Sequence, residues 1–415
     1  MGDGRSREVE LELCLPNGSP LGTTRRFSVG EPWPQFAWPV VTAAREVLGL
    51  DVTVLRLRTI RPRADGEPDL VRYLAEVAAA PADAAAFGRA ATDRGADASP
   101  EAALDAEPWR MPWAEPGGPA RALAWAATRL DALGITMTAP AAQVRTWNLS
   151  SVWLLPTDRG AVWLKQVPPF FAHEGAIIER MSGHAVPRLL ARGADVVLLA
   201  EIPGEDLYDA TDAQRAAMID LLVGIQLDSV DAPDGVADLL GLGLPDWRLP
   251  AIAAAGARTF DAFAEQLSPA ERTAVANLLG GLDERASRLA ACGLPDTLVH
   301  GDFHSGNVRG TGLDLTLLDW GDSGIGHPLL DEAAFTTRLS APDAASAREH
   351  WTSAWSAAIP GSDAAEAMQL LAPIAALRQA TIYHGFLERI EPDEHVYHRD
   401  DPAPWLARTA ELADR

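Results

Sequence analysis

The chain contains only two cysteines, Cys14 and Cys292, in 415 residues. Their wide separation argues against a disulfide scaffold and favours the reducing conditions of the cytosol. No apolar run approaches the roughly 18 residues that a membrane-spanning helix requires. The first residues, MGDGRSREVE, also lack the apolar core of a signal peptide. We therefore expect a cytoplasmic protein that does not enter a membrane.

Basic residues are scarce as well, with 35 Lys and Arg against 58 Asp and Glu and a net charge of −23. Nucleic-acid binding requires clustered Lys and Arg to contact phosphates, so a nucleic-acid partner is not expected. Such an acidic surface would attract a cationic ligand, although solubility alone would also explain the acidity.

The spacing of apolar residues divides the chain into three parts. Residues 1–108 predict an N-terminal α+β domain with a linker, residues 109–203 a small β-rich lobe with a leading helix, and residues 204–415 a larger helical lobe. In the first part, residues 9–15 alternate between apolar and polar, as in a half-buried strand, and a short helix is predicted to end at Gly49.

Residues 298–310, LVHGDFHSGNVRG, combine polar side chains of several kinds between apolar segments. Asp302 lies five residues before Asn307, and Asp319 follows in LTLLDWG, at the end of an apolar strand. Asn307 and Asp319 offer the hard oxygen ligands that suit Mg²⁺, which otherwise relies on waters and phosphate oxygens. Asp302 would then be free to accept a proton from an attacking hydroxyl group, which is the arrangement that phosphoryl transfer requires.

A phosphoryl-transfer site also needs a cation on the phosphates. Lys165 ends the strand AVWLKQV, and Glu174 lies nine residues further on, in the next helix. A Lys–Glu pair of this kind holds a strand lysine over the α- and β-phosphates. Glu179, on the same helix, is the alternative partner.

These motifs resemble the aminoglycoside phosphotransferase / choline kinase-like family, which is related to the protein kinases. The resemblance covers residues 119–415 and is carried by five stretches: HGDFHSGN, LLDWGDSGIGHPLLDEA, VWLKQV, HEGAIIERM and VVLLAEIPGEDL. It implies an α+β, protein-kinase-like bilobal fold, with a small β-rich lobe and a larger helical lobe after the N-terminal domain.

The resemblance also implies a role for each matching residue. These roles are Asp302 as catalytic base, Asn307 and Asp319 as Mg²⁺ ligands, Lys165 as the phosphate-binding lysine with Glu174 as its partner, and the backbone of Glu201, Ile202 and Pro203 as the hinge that hydrogen-bonds the purine.

The sequence departs from the family at two places. The phosphate-covering turn, TWNLSSV, has no glycine, so Ser150 and Ser151 are expected to donate hydroxyl and backbone N–H groups to phosphate instead. His327 stands where relatives often carry Asp, and we assign it no catalytic role.

Two histidines and one aspartate of these motifs have other expected roles. His300 is expected to support the catalytic loop as a buried histidine. His304 has three alternatives, which are substrate contact, a loop hydrogen bond and solvent exposure. Asp331 is expected to cap a helix or brace a loop rather than act as an acid.

The stretch AAREVLGLDV in the N-terminal part is similar to a fragment of a Nudix helix. A working Nudix motif needs two adjacent acidic residues after that Arg-Glu, and this chain lacks them. We therefore expect a degenerate Nudix-like fold that acts as scaffold, substrate lid or dimer surface, and not as a hydrolase.

The predicted function is Mg²⁺-dependent transfer of a phosphoryl group from ATP or GTP to a hydroxyl group of a small molecule. The acceptor would bind against helices within residues 221–282 and 376–390. The acidity favours an aminoglycoside or another cationic amino-alcohol antibiotic, and phosphorylating it would produce resistance. The alternatives are a choline-like, macrolide-like, sugar or other neutral alcohol, and a nucleotide-binding pseudokinase.

Overall fold

The computed structural model describes residues 6–62, 68–81, 106–231 and 235–413. The predicted linker at the end of the first part lies largely outside these residues. The chain forms two compact units. The first comprises the described residues of Met1–Pro169 with Leu190–Glu201 and Leu387–Tyr397, and the second comprises those of Phe170–Leu189, Ile202–Phe386 and His398–Arg415.

The first unit contains ten strands and two α-helices among its described residues. They are β1 Arg7–Cys14, β2 Pro20–Thr23, β3 Phe27–Val29, α1 Trp38–Ala43, β4 Thr53–Arg61, β5 Leu70–Glu76, α2 Gly118–Ala132, β6 Ala142–Trp147, β7 Ser150–Thr157, β8 Gly160–Gln166, β9 Leu189–Arg192 and β10 Val196–Ala200.

The N-terminal sheet has the order β2-β1-β5-β4, and β3 pairs with the other part of β1. Strand β1 runs parallel to β5, whereas β4 and β5 are antiparallel. The alternating apolar residues Val9, Leu11 and Leu13 are all buried in its core, as predicted. Helix α1 continues into one π-helical turn and ends at Gly49. Gly49 has φ +67°, which glycine adopts without strain, so the predicted helix end is confirmed.

The second sheet of this unit has the order β6-β7-β8-β10-β9. Strand β8 lies between β7 and β10, so its backbone is hydrogen-bonded on both sides. Helix α2 buries Ala122, Ala126 and Leu130 against this sheet. This sheet is the small β-rich lobe of the predicted fold, and the predicted bounds of the lobe, residues 109–203, stay a prediction.

Side-chain hydrogen bonds connect the two sheets of the first unit. The Gln143 amide accepts from the backbone N–H of Val54 at 2.9 Å and donates to its carbonyl at 2.7 Å. Trp113 Nε1 donates to the Trp147 carbonyl at 3.1 Å, which joins the turn before α2 to the end of β6. The buried Gln143 amide and the backbone of Val54 thus satisfy each other's hydrogen-bonding groups, which joins the two sheets within the first unit.

Residues 387–397 pack within this first unit through a buried ion cluster. Glu391 accepts from Arg56 at 2.6 Å and from Arg110 at 3.2 Å, and the side chains of Arg56 and Glu391 are 1% and 3% exposed. Ions buried this deeply depend on each other, since each would otherwise be an uncompensated charge in a low-dielectric interior.

The second unit is mainly helical. Its elements are α3 Glu174–Arg180, β11 Glu205–Asp206, α4 Asp212–Asp231, α5 Gly235–Gly241, α6 Leu249–Phe263, α7 Pro269–Gly280, α8 Leu282–Ala291, β12 Thr297–Val299, β13 Val308–Thr311, β14 Asp314–Leu317, β15 Gly324–Gly326, α9 Glu332–Thr336, α10 Ala341–Ala358, α11 Ala364–Leu387 and α12 Pro402–Ala413.

Two small sheets interrupt the helices of the second unit and carry the predicted motifs. Strand β12 pairs with β15, and β13 pairs with both β11 and β14. The sequence predicted the strand that precedes Asp319, but not the short strands β11 and β15. Among the described residues, no helix is both long and apolar enough to cross a membrane.

Candidate active site

The catalytic loop, residues 300–307, connects β12 to β13 and presents Asp302. The side chain of Asp302 is 33% exposed, so it can meet a ligand from solvent. Its Oδ2 accepts from Asn307 Nδ2 at 3.1 Å and lies 3.5 Å from His304 Nε2. Asn307 Nδ2 also donates to the Asp302 carbonyl at 2.9 Å. Within the ranges that the structure describes, these contacts hold one carboxylate oxygen and leave Oδ1 for another partner.

Asp331 holds the start of the catalytic loop with both of its carboxylate oxygens. Its Oδ2 accepts from the backbone N–H of His300 at 2.9 Å, and its Oδ1 accepts from that of Gly301 at 2.8 Å. Asp331 is 1% exposed, and burial raises the pKa of its carboxyl group against the opposing effect of nearby cations and N–H donors. The structure thus places Asp331 as a loop brace.

Gly301 must be a glycine in this conformation. Its φ is +92°, and a Cβ there would lie 2.0 Å from the carbonyl oxygen of Asp322. The loop therefore packs backbone against backbone immediately before Asp302, which no larger residue allows.

His300 is completely buried and joins the catalytic loop to the strand before Asp319. Its Nε2–H donates to the carbonyl oxygen of Leu318 at 2.8 Å, and its ring lies 4.5 Å from that of Trp320. Burial lowers the pKa of His300, which favours the neutral ring with its proton on Nε2.

His304 makes a hydrogen bond within the loop. Its Nδ1 accepts from the backbone N–H of Gly306 at 3.0 Å, at the start of the 3₁₀ turn Ser305–Asn307. Since Nδ1 is the acceptor, the neutral ring carries its proton on Nε2, the atom that faces Asp302. Of the three alternatives for His304, this geometry supports the loop hydrogen bond.

Asp319 adopts a left-handed backbone conformation, with φ 62° and ψ 63°. It is the one non-glycine residue with positive φ in the part of the chain that the structure describes. This conformation costs an L-residue about 1–2 kcal/mol, and such strain often marks a functional position. Leu318 N–H donates to the Asn307 carbonyl at 2.8 Å, which brings Asp319 to the same end of the β13–β14 pair as Asn307.

The donor set at this place fits a magnesium ion. Asn307 uses its amide nitrogen for Asp302, so its carbonyl oxygen is left as a metal ligand, and the Asp319 carboxylate is exposed. Within the described ranges, no cluster of three or more His, Cys, Asp or Glu side chains could form an all-protein metal cage. Two oxygen ligands with phosphate and water completing the shell is the pattern that Mg²⁺ favours.

The two residues of the predicted Lys–Glu pair belong to different units. Lys165 belongs to β8 of the first unit, half-buried opposite Val152 and Val197. Glu174 is the buried first residue of α3 in the second unit, whereas the alternative Glu179 is exposed. The pairing itself stays a prediction.

One signal for Lys165 is visible in the composition. It is the only lysine in the chain, and all 34 other basic residues are arginines. An ammonium group is a compact charge on a flexible stem, whereas a guanidinium is a planar fork, so the two are not interchangeable at a phosphate site.

The glycine-free turn between β6 and β7 is closely packed. Ser150 and Ser151 are 6% and 1% exposed, and Ser150 Oγ accepts from Trp147 Nε1 at 3.0 Å. Asn148 is also fully buried. The predicted phosphate contacts of the two serines stay predictions, and their backbone N–H groups suit that role better than their buried hydroxyls.

Two of the three predicted hinge residues have no backbone N–H to offer a purine. The N–H of Glu201 donates to the Ala161 carbonyl at 3.2 Å, and Pro203 has none. The Ile202 carbonyl accepts from Arg309 Nε at 2.9 Å. Purine binding by these residues stays a prediction.

Sequence analysis missed Tyr383 on α11. Burial raises the pKa of its hydroxyl group, and the carboxylates of Asp401, Asp302 and Asp322 raise it further. These three carboxylates are therefore within electrostatic reach of Tyr383, and Arg338 has the opposite effect on its pKa. Its position on the predicted substrate-cleft helix was the available signal.

His327 lies on the segment before α9. Its Nδ1 accepts from the Leu329 N–H at 3.3 Å, and burial lowers its pKa to about 3. It caps a turn as a neutral ring, and its lack of a catalytic role stays a prediction.

Several solved kinases and phosphotransferases are similar to this chain. An ethanolamine kinase from Plasmodium vivax aligns with a TM-score of 0.50 at 10% identity, over 69% of this chain and 84% of that one. A macrolide 2'-phosphotransferase from Brachybacterium faecium aligns with 0.48 at 15% identity, over 69% and 98%. A choline kinase from Cryptosporidium parvum Iowa II aligns with 0.45 at 11%, over 66% and 90%. At these identities the similarity concerns the fold alone.

No curated protein matches the chain. Residues 141–371, more than half of the chain, match the model of the phosphotransferase enzyme family. The predicted family and protein-kinase-like fold are confirmed, while the Nudix-like character of the N-terminal part stays a prediction. The protein is a small-molecule kinase with an alcohol acceptor, and it belongs to the phosphotransferase enzyme family.

Proposed function

We propose that this enzyme transfers the γ-phosphoryl group of ATP or GTP, with Mg²⁺, to a hydroxyl group of a small cationic alcohol. One observation carries the proposal most directly. The carboxylate of Asp302 reaches solvent on a rigid loop, and Asn307 and His304 hold only its Oδ2. A positioned base with a free oxygen is what the attacking hydroxyl group requires.

Asp302 would accept the proton of the acceptor hydroxyl as its oxygen attacks the γ-phosphorus. The new O–P bond forms as the bond to the β-phosphate oxygen breaks, and the nucleoside diphosphate leaves with that electron pair. His304 and Asn307 keep the carboxylate oriented during the step through Nε2–H and Nδ2–H. Positioning supplies much of the acceleration in such reactions, because the reacting atoms need no further search.

Asn307 and Asp319 would hold the metal ion. When bound, Mg²⁺ would neutralise negative charge on the phosphate groups. Lys165 would hold the α- and β-phosphates, with Glu174 keeping its ammonium group in place. Its position on β8, hydrogen-bonded to a strand on each side, supports a rigid role.

The acceptor class follows from the charges beside the catalytic loop. The carboxylates of Asp302, Asp322 and Asp401 are within electrostatic reach of the half-buried Tyr383, as is Arg338. We propose that the amine of the alcohol binds on the acidic side of this ring. The net charge of −23 points in the same direction. We propose an aminoglycoside or another amino-alcohol antibiotic as the acceptor.

A screen of matched alcohols tests this proposal. Each cationic amino-alcohol is paired with its N-acetyl derivative, and transfer of γ-phosphate from ATP and GTP is measured with Mg²⁺. Asp401→Asn should raise the KM of the cationic members about tenfold, by weakening one charge contact, and leave neutral acceptors unchanged. Equal rates for each amine and its acetyl derivative would eliminate the cationic assignment.

A further inference from the structure

Helix α11 carries a buried arginine behind the catalytic loop. Arg378 is 2% exposed, and its Nη1 donates to the carbonyl oxygen of Gly301 at 3.2 Å. Its Nε and Nη2 have no hydrogen-bond partner within the described residues. Burying a guanidinium with two donor atoms that make no hydrogen bond lowers the stability of the fold. We therefore expect Arg378 to have a role beyond that single hydrogen bond.

The hydrogen bond of Arg378 completes the restraint of Gly301. Asp331 Oδ1 accepts the N–H of Gly301 at 2.8 Å, and Arg378 holds its carbonyl. That carbonyl belongs to the peptide group that connects Gly301 to Asp302. Its orientation therefore sets the direction in which the Asp302 side chain leaves the backbone.

Trp247 holds the guanidinium from another direction. The guanidinium carbon lies 4.7 Å from the centroid of the Trp247 ring, within cation–π distance. The backbone N–H of Trp247 donates to the carbonyl of Ile325 at 2.6 Å, and the Trp247 ring fills the space that a Cβ on Gly324 would need. Arg378 thus joins the catalytic loop to strand β15 through this ring.

The charge of Arg378 faces the acidic groups of the site. Burial lowers the pKa of the guanidinium, and Asp331, Asp322 and Asp302 oppose that effect. An arginine stays protonated in proteins, so this position holds a permanent positive charge among three carboxylates.

We propose that Arg378 is a positioning residue for phosphoryl transfer, which orients the Gly301–Asp302 peptide group and balances the carboxylates around it. The inference rests on the proposed function and extends it to a residue that the motifs do not include. Arg378 itself touches no reacting atom, because it is buried. It acts through Gly301 and the charge that it adds.

The test compares Arg378→Met with Arg378→Lys. Methionine keeps most of the packing and removes the charge and the donor, so kcat should fall about 100-fold, as for a displaced catalytic group, with both KM values within about threefold. Lysine restores a charge and a donor for Gly301. The kcat of Arg378→Lys should therefore be at least about tenfold higher than that of Arg378→Met.

Arg285→Met is the matched control. Arg285 also donates to a backbone carbonyl, that of Leu370 at 2.9 Å, away from the catalytic loop. This variant should lose some stability and keep its kcat. A kcat for Arg378→Met within about threefold of wild type, like that of the control, would overturn the inference.

Amide hydrogen exchange of residues 298–307 gives a second readout that needs no acceptor. Arg378→Met should speed exchange there about tenfold by easing local opening, and Arg285→Met should not. Unchanged exchange overturns the inference even when no acceptor has been found, whereas a wild-type enzyme that phosphorylates no alcohol refutes the proposed function instead. If Arg378→Met does not fold, Trp247→Leu decides by the same two measurements.

Discussion

Replacing Asp331 with Asn tests how the catalytic loop is held. Asp331 Oδ2 accepts from the His300 N–H and from Gln226 Nε2, at 2.9 and 3.2 Å, and Oδ1 accepts from the Gly301 N–H at 2.8 Å. An amide has only one oxygen. Facing that oxygen toward His300 and Gln226 keeps two hydrogen bonds and turns the NH₂ group toward the Gly301 N–H.

The expected loss of stability follows from the number of hydrogen bonds that the asparagine can keep. Gly301 loses a charge-assisted hydrogen bond, and its buried N–H is left without an acceptor, which together cost about 3 kcal/mol. The neutral amide avoids the burial of a charge, which offsets part of this destabilisation. We expect a net decrease of about 2 kcal/mol in the free energy of unfolding, and a loss of about 10- to 100-fold in kcat because Asp302 follows Gly301.

Urea unfolding and steady-state kinetics measure the two effects in Asp331→Asn. Asp363→Asn is the control, because Asp363 is exposed and accepts the Glu366 N–H at 2.9 Å at the start of α11. Asparagine caps helices about as well as aspartate, so this control should change stability by less than about 0.5 kcal/mol. The reasoning fails if Asp331→Asn is as stable and as active as the control.

Three further changes test other parts of the structure. Glu391→Gln should lower the free energy of unfolding by about 3 kcal/mol in urea, because Arg56 and Arg110 lose a buried counter-charge; a change below about 1 kcal/mol would contradict this. His327 has a folded pKa of about 3 against an ordinary value of 6.5, so only the unfolded chain gains this proton as the pH falls between them, and stability decreases. His327→Asn should remove about 2 kcal/mol of the destabilisation between pH 7 and pH 5, and an unchanged pH dependence would refute the cause. An acyl-phosphate derivative of ATP should acylate Lys165, the only ε-amino group in the chain, and free ATP with Mg²⁺ should prevent it; acylation that ATP does not reduce would argue against phosphate binding there.

Local patterns were sufficient to predict much of this enzyme. The alternation around Val9 predicted β1, and the apolar run before Asp319 predicted β14, because each depends on neighbouring residues alone. The spacing of Asp302 and Asn307 indicated a polar loop between apolar segments, whereas the 3.1 Å contact between the two side chains is a finding of the structure.

Contacts between distant residues could not be predicted in this way. Arg378 lies 77 residues from Gly301, and the burial of Ser150 and Ser151 depends on packing across the first unit. The left-handed backbone of Asp319 was equally hidden, since a positive φ is uncommon even for Asp and the neighbouring residues do not indicate it. Tertiary contacts decide such features, and a single sequence gives them no periodic signal.

The most direct test of the central claim is phosphate transfer by wild type and Asp302→Asn under matched conditions. Label from the γ-position of ATP or GTP is followed into a cationic amino-alcohol with Mg²⁺, and nucleotide binding is measured by thermal shift. We expect transfer by the wild type and a loss of at least about 100-fold in Asp302→Asn, which lacks the base, with an unchanged thermal shift. A variant that transfers label at the wild-type rate would contradict the assignment of Asp302 and the mechanism built on it.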